Sequence, residues 1–166
     1  TAIGNGALYA NTTGNYSVAI GTEALYSNTQ YQNVGIGYRS LYNNTGGDNT
    51  AIGAFYAMYN NTTGGRNVGI GSYALNGNTT GNYNTSSGYQ SLYTSYGSNN
   101  NTAMGAYAAL NTTTKGDNNT AMGYSSLYKN TTGYSNVSVG VAALYNNTIR
   151  GNLVAVGDSA LFNNGT

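Results

Sequence analysis

A glycine returns along this chain every 16 to 18 residues, at Gly4, Gly21, Gly37, Gly53, Gly71, Gly88, Gly105, Gly123, Gly140 and Gly157. A period held from one end to the other means that one small unit has been copied, and that each copy must bury its apolar side against its neighbours. Ten copies of about 17 residues fill all 166 positions. A disordered polar tract could share the composition, because Asn, Gly, Thr, Tyr and Ser dominate and charged residues are only 5%. Disorder holds no such period, so the chain reads as one repeat domain of ordinary domain length.

The columns around the glycine assign each position. Three residues before it stands a β-branched residue in every copy, for example Val18, Val34, Thr50 and Thr102, and one before it Ile, Met or Val, with Ser87 the exception. Between them lies a small residue: Ala2, Ala19, Gly35, Ala51, Gly69, Ser86, Ala103, Ala121, Ser138 and Ala155. This period-two alternation with β-branched residues predicts a strand. The small column is held to a size that implies close packing against it. Four residues before the glycine, Asn33, Asn49, Asn67, Asn84, Asn101, Asn119 and Asn136 recur, and in register such amides form a ladder. The glycine itself is expected to take positive φ, or to allow close backbone approach, at a corner.

A second segment follows. Four residues past the glycine the chain carries Leu8, Leu25, Leu41, Leu75, Leu92, Leu127, Leu144 and Leu161. In the two longer units one extra residue is expected just after the glycine, and Met58 and Leu110 fill the column. A small residue precedes each, and an aromatic follows in eight units: Tyr9, Tyr26, Tyr42, Tyr59, Tyr93, Tyr128, Tyr145 and Phe162. The alternation predicts a second short strand, with Leu on one face and Ala and Tyr on the other. Polar turns such as Asn61-Thr62-Thr63-Gly64 close the unit. Length varies mainly in these turns, as over Thr112 to Asn118.

The predicted fold is therefore all-β: a parallel β-solenoid of ten coils with two short strands each, flattened, with the Val/Thr, Ile/Met/Val and Leu columns sharing a thin interior. Seventeen residues cannot house two helices and their turns. A leucine-rich repeat needs at least about 20 residues, and calcium-binding nonapeptide turns need more Asp than Asp48 and Asp117. The chain starts and ends inside a unit with no capping segment, so residues 1–166 are expected to be one roll segment of a longer fibre.

The strand motif, seen in Ser17-Val18-Ala19-Ile20-Gly21, Asn49-Thr50-Ala51-Ile52-Gly53, Asn67-Val68-Gly69-Ile70-Gly71 and Asn119-Thr120-Ala121-Met122-Gly123, resembles the head repeats of trimeric autotransporter adhesins. The longer unit, Asn-Thr-Ala-Ile-Gly-x-x-Ala-Leu-Tyr-x-Asn-Thr-Thr-Gly, is similar to repeats of phage tail fibres and related trimeric adhesive fibres. The resemblance implies a left-handed β-roll in which three chains share an axis, with the small column as the candidate for packing at that axis. It also implies an extracellular place, on a cell surface or a virion fibre, and a host-surface protein or glycan as a possible partner. The unit is longer than the adhesin head repeat, which is nearer 14 residues.

Composition removes most chemistry. With no Cys and no His there is no disulfide framework, no Cys/His zinc site, no thiol nucleophile and no imidazole base. No cofactor or metal is implied. Five scattered cations make no nucleic-acid footprint, and no apolar run is long enough for a membrane span. Asp48 and Asp117 lie in turns four coils apart, about 19 Å, beyond the reach of a carboxylate pair. The expectation is that the protein is not an enzyme.

The Tyr column (Tyr9, Tyr26, Tyr42, Tyr59, Tyr93, Tyr128 and Tyr145) is the leading candidate binding surface, able to stack on sugar rings or grip a protein. The plainer reading, and the preferred one, is that stacked Tyr side chains cover the roll's outer face or fill a trimer interface. The other eleven Tyr look scattered. Asn-x-Ser/Thr matches at Asn11, Asn61, Asn78, Asn111 and Asn130 read as turn chemistry rather than glycosylation sites. The leading function is a structural, adhesive extracellular fibre segment. The alternatives are a monomeric solenoid that binds ice or polysaccharide, and a matrix fibre without a ligand. Ice binding is disfavoured by Thr that sit mainly in turns or at a strand column expected to face inward. The nine charges are scattered so that no column repeats one on adjacent coils.

Overall fold

The computed structural model describes residues 1–112 and 116–165. Ten strands form one parallel sheet in sequence order: β1 Ala2–Ile3, β2 Val18–Ile20, β3 Val34–Tyr38, β4 Thr50–Phe55, β5 Val68–Ile70, β6 Thr85–Ser87, β7 Thr102–Met104, β8 Thr120–Met122, β9 Val137–Val139 and β10 Val154–Val156. Equivalent residues pair throughout, as in Val34↔Thr50, Gly35↔Ala51 and Ile36↔Ile52. Each coil returns under its own strand, so the molecule is a β-solenoid of about nine turns, with no helix among the described residues.

There is one strand per coil, not two. The Leu segment is a run of turns in which left-handed residues alternate with right-handed ones: Glu23 and Leu25 have φ of 55° and 51°, Tyr73 and Leu75 of 60° and 50°. It is still bonded coil to coil, because Leu25 N–H donates to Ser40 O (2.9 Å) and Leu41 N–H to Ala57 O (3.0 Å). Left-handed backbone at a non-glycine residue costs about 1 kcal/mol or more, and it persists where the surroundings over-determine it. Here each coil's bonds repeat those of its neighbours.

The corner glycine has positive φ in nine copies, from 118° at Gly37 to 141° at Gly88. A Cβ on Gly21 would lie 2.7 Å from the Gly37 carbonyl oxygen, so the stacking distance itself requires glycine. Gly53 is the exception. Its coil carries the one-residue insertion, which appears as a bulge pairing Tyr38 with Phe55 and returning Met58 to the Leu column. The other long unit has no such insertion. Ala109 (φ 48°) takes the core position, donating to Ser126 O at 2.9 Å as Leu residues do elsewhere, and Leu110 stands in the aromatic column. The extra residue of that unit falls between Thr112 and Gly116, where residues 113–115 lie outside the described residues.

The interior is the reverse of the expected one. The small column faces inward and is fully buried (Ala19, Ala51, Ala103 and Ala121), opposite fully buried Leu25, Leu41, Met58, Leu75, Leu92, Leu127 and Leu144. The small column therefore cannot meet a partner chain. Leu and Met press on it directly: a Cβ on Gly35 would be 3.0 Å from Leu25 Cγ, and one on Gly69 2.9 Å from Met58 Cγ. Ala24, Ala57, Ala74 and Ala143, expected beside Tyr on the outer face, are buried as well. Where the small residues are Ser, they bond one another inside, as Ser126 Oγ does to Ser138 Oγ (2.7 Å). The end coils have a neighbour on one side only, and Leu8 and Leu161 are correspondingly open.

The other half of the interior is polar. Asn33, Asn49, Asn67, Asn84, Asn101, Asn119 and Asn136 are buried and form the expected ladder. Asn67 Oδ1 accepts the backbone N–H of Asn84 at 2.9 Å, and Asn67 Nδ2 donates to Gly81 O at 2.8 Å. A second ladder runs beside it through the turn residues Asn28, Asn44, Asn61 and Asn78, each Nδ2 donating to the Oδ1 before it, at 2.6 Å for Asn61 to Asn44. It stops at Ser95, leaving Asn78 Oδ1 buried without a partner. These ladders satisfy the buried polar groups that an Asn-rich interior creates.

Candidate functional site

Turning the small column inward turns the β-branched columns outward. Val18 and Ile20, Thr50 and Ile52, Val68 and Ile70, Thr102 and Met104, Thr120 and Met122, and Val154 and Val156 all lie on the outer face of the sheet. Ile20 is 37% exposed, Ile70 43% and Val156 70%. Ten strands at the usual spacing make this strip about 48 Å long. At roughly 10 Å wide it presents about 500 Å² of mostly apolar surface, at the upper end of what a monomeric protein leaves open. Sequence alternation gave two faces here but not which one is buried.

The Tyr column lies on the opposite side as two stacks. Tyr9, Tyr26, Tyr42 and Tyr59 have centroids 5.0, 4.9 and 5.3 Å apart with planes within 21°. Tyr128, Tyr145 and Phe162 repeat this at 4.9 and 5.1 Å. Within a stack each ring covers the face of the next, so edges and hydroxyls are presented but few faces remain for a sugar. Tyr93 stands outside both stacks, tilted against Tyr73 at 6.4 Å. Asn76 and Leu110 interrupt the column. Five of the Tyr that look scattered in sequence continue from the first stack into the gap: Tyr59 meets Tyr56, then Tyr73, Tyr89, Tyr107 and Tyr124 follow, each within 6.1 Å of the one before. Their columns differ by one to four residues in sequence, which hides the continuity. Partial burial, and then its stacked neighbours, raise the Tyr26 pKa above that of a free phenol; burial and a hydrogen bond to Tyr56 do the same at Tyr38.

Charges do sit in the same column on adjacent coils, but with opposite signs. Arg39 Nε lies 2.5 Å from Glu23 Oε2, which holds the guanidinium even more firmly protonated than usual. Arg39 also lies over the rings of Tyr38 and Tyr42 at 5.1 and 5.4 Å. Arg66 pairs with Asp48 at 3.6 Å. Asp117 Oδ1 accepts the Asn99 backbone N–H at 2.6 Å, and Asp158 Oδ1 accepts from Ser159. All four carboxylates thus already have partners. Among the described residues no three acidic, Cys or His side chains converge, and no helix is long and apolar enough to cross a membrane.

The turn Asn of the Asn-x-Thr motifs are interior groups. Asn61, Asn78 and Asn130 are fully buried, with Nδ2 donating to the glycine carbonyl that closes the turn. Asn11 and Asn111 are half-buried. Compared with known proteins, the chain matches no family model, no curated protein and no solved structure.

Proposed function

We propose that this chain is a non-enzymatic structural segment of an extracellular fibre, adhesive along its flank, in which copies of the chain associate through the outer face of the sheet. The observation that supports this is the strip of Val/Thr and Ile/Met/Val along the outer face of the sheet, apolar on every coil but that of β6, where Thr85 and Ser87 stand. Burying the apolar part of the strip stabilises an assembly by roughly 25 cal/mol per Å² before association entropy. A strip that follows the stacking direction of the coils suits side-by-side packing around a common axis, and three left-handed rolls meeting there is the arrangement the adhesin resemblance suggests. A cell-surface or virion fibre would use such a bundle as a stiff spacer, with weak flank contacts adding by multivalency.

Sedimentation equilibrium tests the reading. The expected mass is three times 17.2 kDa, and an Ile52→Lys, Ile70→Lys double variant is expected to fall to one chain while keeping its β circular dichroism. A wild-type mass of one chain refutes the assembly.

Ice binding by a monomer gains one observation, since the strand Thr at Thr50, Thr102 and Thr120 belong to the outward column. Ile, Met and Val fill the accompanying column, and Val alternates with Thr, so no regular hydroxyl lattice forms. Thermal hysteresis in dilute solution separates this reading from association.

A further inference from the structure

Two residues before the buried ladder column, which is Asn in seven coils and Ser17 and Leu153 in two others, lies an outward turn position, filled by Asn15, Tyr31, Asn82, Asn99, Asp117 and Tyr134 but by glycine at Gly47, Gly65 and Gly151. Over Gly151 the Tyr134 ring fills the space, 3.0 Å from where a Cβ would stand. Gly47 is different: a Cβ there would meet nothing nearer than the Tyr31 carbonyl oxygen at 3.5 Å. Gly47 and Gly65 thus form the floor of an open notch of about 190 Å³, walled by Asp48, Arg66, Asn82 and Tyr83. We propose that this notch binds one ring of a neutral polysaccharide or oligosaccharide.

The walls select the ligand class. Asp48 and Arg66 oppose each other at 3.6 Å, so the notch has no net charge and attracts neither an anion nor a cation strongly. Arg66 is held in place by a hydrogen bond from its guanidinium to the Tyr83 hydroxyl, and lies 5.3 Å over that ring. Asn82 is held too, its Oδ1 accepting the Gly65 N–H at 2.9 Å and its Nδ2 donating to Thr80 O at 2.9 Å. The second Asp48 oxygen and the outer Arg66 N–H groups therefore offer an acceptor and donors at fixed places. A sugar hydroxyl both donates and accepts, so a polyol satisfies both kinds of group at once. No aliphatic side chain lines the notch, which argues against an apolar ligand. Tyr83, about half exposed, adds an aromatic surface at one side. The notch is smaller than a usual small-molecule pocket and open to solvent, which suits one ring of a longer chain bound weakly. Each copy of the chain in the proposed assembly brings one such notch, and together they would supply avidity along a polysaccharide.

Saturation-transfer NMR on the full chain tests this with maltoheptaose, mannohexaose, galactotetraose and chitotetraose as neutral probes, and with heparin and a Glu-rich peptide as acidic ones. At least one neutral probe is expected to bind, with Kd on the order of 1 mM. Gly47→Tyr, which places in the notch the residue that this column carries at Tyr31 and Tyr134, is expected to weaken binding about tenfold, the equivalent of 1.4 kcal/mol. Its circular dichroism, melting temperature and sedimentation mass are expected to stay those of wild type. Arg66→Gln, a second variant at an exposed position, is expected to weaken binding without changing the mass. Binding to none of the four neutral probes, binding only to an acidic one, or binding unaffected by Gly47→Tyr would each overturn the proposal. Because mass is read on the same samples, loss of the site and loss of the assembly are told apart.

Discussion

Replacing Asn67 by Ala tests whether the buried amide ladder holds the coils together. The Asn67 side chain makes four hydrogen bonds: Nδ2 donates to Asn49 Oδ1 (3.2 Å) and Gly81 O (2.8 Å), and Oδ1 accepts from the Asn84 backbone N–H (2.9 Å) and Asn84 Nδ2 (3.2 Å). Three of those partners keep another bond. Gly81 O still accepts from Asn78, Asn84 Nδ2 still donates to Ser98 O, and Asn49 Oδ1 still accepts the Asn67 N–H. The buried Asn84 N–H keeps none. An orphaned buried donor costs about 1–3 kcal/mol and each ordinary bond nets about 1 kcal/mol. Counting the orphan at about 2 kcal/mol and the other short bond, to Gly81 O, at about 1 kcal/mol gives a loss of about 3 kcal/mol, which for a chain of this size lowers Tm by roughly 6–12 °C. The control is Asn99→Ala in the half-buried outer turn, where Asn99 Oδ1 accepts the Asn82 N–H at 2.9 Å but water can take its place; its expected cost is below about 1 kcal/mol. Urea denaturation followed by circular dichroism measures both. If Asn67→Ala costs no more than Asn99→Ala, the ladder is not what holds this side of the solenoid.

Two further outcomes follow from the same geometry. The turn ladder breaks at Ser95, whose hydroxyl instead pairs with Ser98 Oγ at 2.6 Å; in the coil before, the same two places are held by Asn78 and Gly81. Ser95→Asn with Ser98→Gly, which copies the Asn78 and Gly81 pair, is therefore expected to give Asn78 Oδ1 a partner and to raise stability by about 1 kcal/mol, read as a higher urea midpoint. An unchanged or lower midpoint in the double variant refutes this. Tyr26 and Tyr38 have phenol pKa values raised by folding, so the folded state favours their neutral forms. Their contribution is whole below the unfolded value near 10 and is lost as pH rises through the folded values, so Tm is expected to fall above pH 10. Absorbance at 295 nm should show a late-titrating class of Tyr in the folded protein that merges with the rest after denaturation.

Much of the coil was legible before any coordinates. The corner glycines, the Val/Thr-small-Ile strand and the Asn33 to Asn136 ladder each follow from one residue type recurring at one place, and local chemistry allows few uses for it. The Leu segment reads as a strand in sequence because period-two reasoning assumes extended backbone. Left-handed residues at positions such as Glu23 and Leu25 change the parity, so that Ala24 and Leu25, adjacent in sequence, both point inward. The turn Asn look like loop residues because Asn-Thr-Gly is turn chemistry, and nothing in a linear reading separates an amide aimed outward from one aimed in. The notch at Gly47 and Gly65 was invisible for a related reason: it depends on which neighbouring ring leans over which glycine.

The period by itself determined that this chain is a parallel β-solenoid, since a unit of about 17 residues with one strong strand can bury its apolar side only by stacking on copies of itself. Only the tertiary structure decided which face of the strand is inside. Alternation is symmetric between two faces, and the choice is made by volume across the coil. Leu25, Leu41 and their equivalents reach over from the opposite side until they touch Gly35 and Gly69, leaving space for nothing larger than Ala or Ser. The larger β-branched columns must then face out, and that exclusion creates the apolar strip on which the proposed function rests.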